Sequence, residues 1–138
     1  FYILSSNDDI NTSICRIIKK YYELNHKILI SSSNTIMIEN LNNLLWTFEQ
    51  LTFIPHSTNR QYDPLTPVLL EDRNYKNDSI SKKDYNIFIN LDDNVKTDYH
   101  DHDVIIELVE GNEEKKEISR QRYLYYKNNK LNIKHENL

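Results

Sequence analysis

"FYILSSNDDINTSICRIIKKYYELNHKILISSSNTIMIENLNNLLWTFE", residues 1–49, decides the fold. Its first piece, FYILSS (residues 1–6), is short, apolar and aromatic, the pattern of a buried strand. NDD follows, and Asp8 or Asp9 can cap a helix by accepting its free backbone N–H groups. Over residues 10–24, Ile10, Ile14, Ile17, Ile18, Tyr21 and Tyr22 recur at helical spacing, which predicts an amphipathic helix. A second buried strand is expected at residues 27–31. Asn34 or Thr35 then introduces a helix over about residues 36–49, with Ile38, Leu41, Leu44, Leu45 and Trp46 on it. This strand–helix–strand–helix order implies parallel strands joined by right-handed crossovers.

The rhythm then changes. LTFIPHS (residues 51–57) is a short apolar run stopped by Pro55. STNRQYDPLTP (57–67) is polar, carries Pro64 and Pro67, and reads as a loop. VLLED (68–72) and YNIFINL (85–91) read as strands, with a polar connector between them. DDNVKTDYHDHD (92–103) is an acidic loop with room for a helical turn. VIIELVE (104–110) is the last strand expected. Gly111 breaks it, and Asn112 caps a helix whose first turn carries Glu113 and Glu114, the sign that a helix N-terminus favours. That helix should run to residue 127 or 128. No internal repeat or linker is visible, so one domain over residues 1–138 is expected.

Composition narrows the function. The 138 residues are 38% hydrophobic and 28% charged, enough for one substantial core. No run approaches the roughly 18 apolar residues of a membrane span. No Lys/Arg-led apolar leader with a small-residue cleavage site appears, so export is not expected. The lone Cys15 cannot form an internal disulfide and fits a reducing cytoplasm. Its place inside the first helix reads as a small core residue. A single glycine, Gly111, cannot build the phosphate-cradling loops of dinucleotide or P-loop folds. A formal net charge of −4 argues against broad nonspecific DNA binding.

Few residues suggest chemistry. His100 and His102 in YHDHD alternate with carboxylates in a metal-ligand manner, but no further ligand cluster supports them, and a solvated acidic loop is the expectation. His56 has no catalytic partner at defined spacing and reads as a structural turn histidine. Trp46 and Phe53 read either as core or as an exposed pair that anchors a protein partner. In the terminal helix, Lys116, Arg120, Tyr123 and Lys127 fall on one stripe about 60° wide. Ile118, Arg122 and Tyr125 point the other way. Ile118 and Tyr125 are expected to pack, and Arg122 to reach an internal carboxylate. The stripe suits an acidic peptide, a free C-terminal carboxylate or nucleic acid; the alternative is a solvated helix face.

Several stretches together resemble the DNA polymerase III chi subunit family. FYILS, LLWTFEQLTFIPHS, PVLL, YNIFINL and VIIELVE…KEISRQRYLYYKNNKLNI stand in that family's order and spacing over nearly the whole chain. The most specific pieces are the Leu-Trp helix end before Phe-Ile-Pro-His and the terminal Arg-x-Arg-Tyr-x-x-Tyr-Lys. The resemblance implies a Rossmann-like three-layer α/β domain with a mostly parallel central sheet, helices on both faces and no nucleotide cofactor. It implies a non-catalytic cytoplasmic subunit that binds the acidic, Phe-ending C-terminal tail of single-stranded-DNA-binding protein (SSB). It implies a second partner, the psi subunit, which ties the chain to the clamp loader, as a monomer alone and a heterodimer with psi. By motif, the tail surface would use Lys116, Arg120, Tyr123 and Lys127, with Val109 in its apolar pocket and Arg120 meeting the tail carboxylate. The psi surface would use Trp46 and Phe53. The chain departs from the family pattern after FIPH, where STNRQYD replaces a glycine-containing segment, and at Leu124, where a basic residue can occur. Two other functions are weighed against this one. One is direct binding of single-stranded nucleic acid by the terminal helix. The other, a nucleotide-using enzyme, is suggested by fold type alone.

Overall fold

The computed structural model describes residues 1–4, 9–48 and 53–137. Strand β1 (Tyr2–Ile3) leads to helix α1 (Ile10–Glu23). Asp9 caps this helix, its carboxylate accepting from the Thr12 backbone N–H at 3.2 Å and the Thr12 hydroxyl at 2.8 Å. The helix stops at Leu24, and Asn25 turns the chain with φ 64°, a conformation asparagine tolerates better than most residues. Strand β2 (Ile28–Ser32) is buried throughout and feeds helix α2 (Thr35–Thr47), capped by Asn34 through Met37 N–H at 3.1 Å. Then follow β3 (His56–Thr58), β4 (Val68–Asp72), β5 (Ile87–Asn90), β6 (Val104–Val109), helix α3 (Glu113–Asn128) and β7 (Glu136–Asn137).

The strands form one sheet in the order β3-β4-β2-β5-β6-β1-β7, and every pairing is parallel. Side chains alternate across it. On one face Ile28, Ile30, Val68, Leu70, Ile87, Ile89, Ile106 and Leu108 meet Ile14, Ile17 and Ile18 of α1 and Ile38, Leu41 and Leu45 of α2. On the other face lies a smaller cluster of Leu29, Leu69, Tyr85 and Phe88. Helix α3 rests on that second face, over β6. The chain is therefore the three-layer Rossmann-like α/β fold expected.

The second face also carries a polar row that the strand register aligns. Glu71, Ser31, Asn90 and Glu107 stand side by side across β4, β2, β5 and β6, and all four are buried. Ser31 Oγ donates to Glu71 at 2.7 Å, and Lys82, in a short 3₁₀ turn before β5, meets the other Glu71 oxygen at 2.8 Å.

Three expectations are corrected. Ser57 and Thr58, read as the start of a loop, belong to β3. This strand pairs on one side only, so polar residues suffice for it. Glu136–Asn137, beyond the last strand expected, adds β7 beside β1, with Glu136 N–H donating to Phe1 carbonyl at 3.0 Å. The first strand is shorter than expected: β1 holds only Tyr2 and Ile3. Its expected continuation through residues 5 and 6 lies outside the described residues, as does the end of α2 at residue 49. A short 3₁₀ turn, Tyr99–Asp101, interrupts the acidic loop.

Candidate functional site

Helix α3 is positioned by polar anchors. Asn112 caps it, its side-chain oxygen accepting from Lys115 N–H at 2.8 Å, and Glu113 and Glu114 occupy the first turn. Its buried residues are Ser119, Arg122 and Tyr126. The Arg122 guanidinium reaches Glu107 of β6 at 2.8 Å and donates to the carbonyls of Asp92 (2.8 Å) and Leu108 (3.2 Å) and to Ser119 Oγ (3.0 Å). Tyr126 hydroxyl donates to Glu107 at 2.9 Å and accepts from Lys96 N–H at 2.9 Å. Asn90 donates to the same Glu107 oxygen at 2.7 Å. Burial pushes the Glu107 carboxyl up to about 7, and attraction to Arg122 only partly offsets this. The internal carboxylate expected for Arg122 is thus Glu107.

The roll of the helix corrects two aromatic assignments. The line Ser119–Arg122–Tyr126 lies about a quarter turn from the cationic stripe, by helix geometry. Tyr126 is the buried ring, while Ile118 and Tyr125 are only half-buried. The packing face expected at Ile118 and Tyr125 is therefore rotated toward the stripe, because the helix seats on Glu107. Tyr123, expected to face outward, is half-buried instead. Its ring lies 6.0 Å from Phe1 and 5.5 Å from His135, with Lys127 Nζ 5.8 Å away.

Lys116, Arg120 and Lys127 are exposed along this face, and Leu124 beside them is also exposed. Val109 is half-buried at the end of β6, from which Gly111 and Asn112 lead into α3. Two of the cations already hold acids from their own helix. Lys116 lies 3.6 Å from Glu113, and Arg120 pairs with Glu117, which also accepts from Gln121 Nε2 at 3.0 Å. From sequence, Glu113 reads only as a first-turn acid and Glu117 has no assigned role. Their signal was the Glu-x-x-Lys and Glu-x-x-Arg spacing, which places the partners side by side on a helix.

A second exposed feature lies at the end of α2. Trp46 is 56% exposed and Phe53 54%, and their rings stack with centroids 5.2 Å apart. Both are therefore surface residues. His56 is buried beneath them, its ring 4.8 Å from that of Trp46. Its nitrogens meet the backbone carbonyls of Ile54 at 2.8 Å and Asn42 at 3.2 Å. His56 thus ties the β3 entry to α2 and supports the aromatic pair, a structural role.

The remaining reactive residues are placed unfavourably for chemistry. Cys15 is fully buried; burial first, and Asp9 second, push its thiol up to about 12, far from the thiolate a nucleophile needs. His102 is buried with Nδ1 2.6 Å from the Tyr85 carbonyl, while His100 is exposed. Among the described residues no three His, Cys, Asp or Glu side chains group as metal ligands. Nor is any described helix long and apolar enough to cross a membrane. A cleft of about 620 Å³ runs between β6 and residues 131–136, walled by Ile105, Tyr99, Phe1 and Ile133 among others.

Comparison with known proteins gives one family: the model of the DNA polymerase III chi subunit, HolC, matches residues 1–134. No curated protein matches the chain.

Proposed function

The chain belongs to the DNA polymerase III chi subunit family, and from that premise we propose that it is a non-catalytic, cytoplasmic adaptor of the replication machinery. One surface, Lys116, Arg120, Tyr123 and Lys127 with Val109, takes the acidic C-terminal tail of SSB. The other, Trp46 and Phe53, takes the psi subunit and through it the clamp loader. The chain contacts DNA mainly through SSB, and acts as a monomer alone and a heterodimer with psi.

The observation that carries the tail reading is the exposed cationic line of α3 beside apolar groups. Arg120 lies between Lys116 and Lys127, Leu124 stands next to it, and the half-buried Tyr123 ring completes the wall. Charges of that kind steer an acidic peptide to the surface, and a ring with a free carboxylate can be retained there. Single contacts of this type are individually modest, and many tails on one SSB-coated strand raise the avidity.

The test is fluorescence anisotropy with a labelled acidic peptide ending in a free phenylalanine. Arg120→Ala is expected to weaken binding by about 1 kcal/mol or more, roughly fivefold. Unchanged affinity would remove Arg120 from the site.

A further inference from the structure

The α3 stripe is not a row of free cations. Arg120 is engaged by Glu117 and Lys116 by Glu113, each acid three residues before its partner. Glu113 and Glu117 are themselves one turn apart, so they form an acidic track alongside the cationic one. Glu117 is held in place from its other side by Gln121. Its carboxyl lies below the usual carboxylate range, through the Gln121 hydrogen bond and attraction to Arg120. An incoming carboxylate therefore meets an arginine that already has a counter-ion.

We infer that Glu117 is an internal competitor at this surface, occupying Arg120 in the free protein and yielding it when an acidic peptide docks. This rests on the tail-binding reading of α3 and adds a residue that sets its affinity. Binding exchanges one carboxylate for another at Arg120, so the net electrostatic gain is smaller than the stripe's charge suggests. Glu113 plays the same part at Lys116, but it also lies in the first turn, where its charge favours the helix. Glu117 lies beyond that turn and isolates the competition.

Glu117→Gln keeps the shape and an oxygen for Gln121 while removing the charge. Glu114→Gln removes the same charge from the same end of the helix, but projects about 150° away from the stripe. With the Phe-ending acidic peptide in anisotropy, Glu117→Gln is expected to tighten binding about 1.5- to twofold, the scale of one helical ion pair. Glu114→Gln should shift it less. In an Arg120→Ala background, the gain from Glu117→Gln should shrink toward that of Glu114→Gln, because the contested partner is gone. Equal effects of the two glutamines, or a gain that survives without Arg120, would overturn the inference. Wild-type protein that does not bind the peptide would overturn the surface reading and this inference with it. Wild-type binding with no change in Glu117→Gln would overturn the inference alone.

Discussion

A carboxylate in the middle of a strand, 1% exposed as Glu107 is, is costly unless its charge is answered. Here it is answered by Arg122, Tyr126 and Asn90, and these contacts fix where α3 sits. Removing Arg122 would leave Glu107 either as a lone buried charge, which typically costs about 3–5 kcal/mol, or protonated. The cost should depend on pH. The Glu107 carboxyl is raised from 4.5 to about 7 in the folded chain, so the folded state holds a proton there that the unfolded state has lost. Its contribution to stability is full below about 4.5 and fades as pH rises through about 7. Without Arg122 the carboxyl should stay protonated to still higher pH. Arg122→Met is therefore expected to destabilise strongly at pH 8 and much less at pH 5 in urea denaturation. An equal penalty at both would mean that the ion pair does not govern this anchor. Arg122's inward direction was legible from helical spacing, but its partner was not. VIIELVE reads as one apolar run, and only the register of β6 shows that Glu107 faces α3.

At the scale of elements, legibility follows the strength of the apolar pattern. Helix α1 carries isoleucines at helical spacing, and its bounds and buried face emerge as expected. Helix α3 has no such stripe: its buried residues are a serine, an arginine and a tyrosine. Spacing alone therefore located the helix and its cationic line but placed the packing face at Ile118 and Tyr125 rather than Tyr126. Strand β3 was hidden because His-Ser-Thr carries no apolar alternation, and β7 because two exposed polar residues pair through backbone alone. The candidate docking surfaces were legible as residue types and Glu117's engagement of Arg120 as Glu-x-x-Arg spacing, whereas Trp46's exposure needed three dimensions. A helix with so little apolar area depends on its cap. Asn112→Ala is expected to cost about 1 kcal/mol, read in urea denaturation, with faster hydrogen exchange at the Lys115 and Lys116 amides. An unchanged exchange rate there would show that packing on β6 alone holds the first turn.

At the scale of the whole molecule, the two candidate surfaces stand far apart. Helix α2 lies on one face of the sheet and leads to β3 at one edge, while α3 lies on the opposite face over β6. From β3 to β6 there are four strand spacings, about 19 Å at the usual separation. Among the described residues no side chain is shared between Trp46–Phe53 and the α3 stripe, and at that distance substitutions normally act additively. The surfaces also differ in kind. The aromatic pair offers apolar area that salt barely affects, whereas the stripe offers charge that salt screens. The proposed adaptor role calls for such separation, since one partner would be held while the other is exchanged. Trp46→Ala with Phe53→Ala is therefore expected to abolish co-purification of psi while leaving affinity for the acidic peptide within twofold. Arg120→Ala should do the reverse, and raising salt should release the peptide before psi. Loss of both partners from either variant, with the fold intact by circular dichroism, would mean that the surfaces are coupled. Retention of psi by the aromatic variant would place its docking site elsewhere.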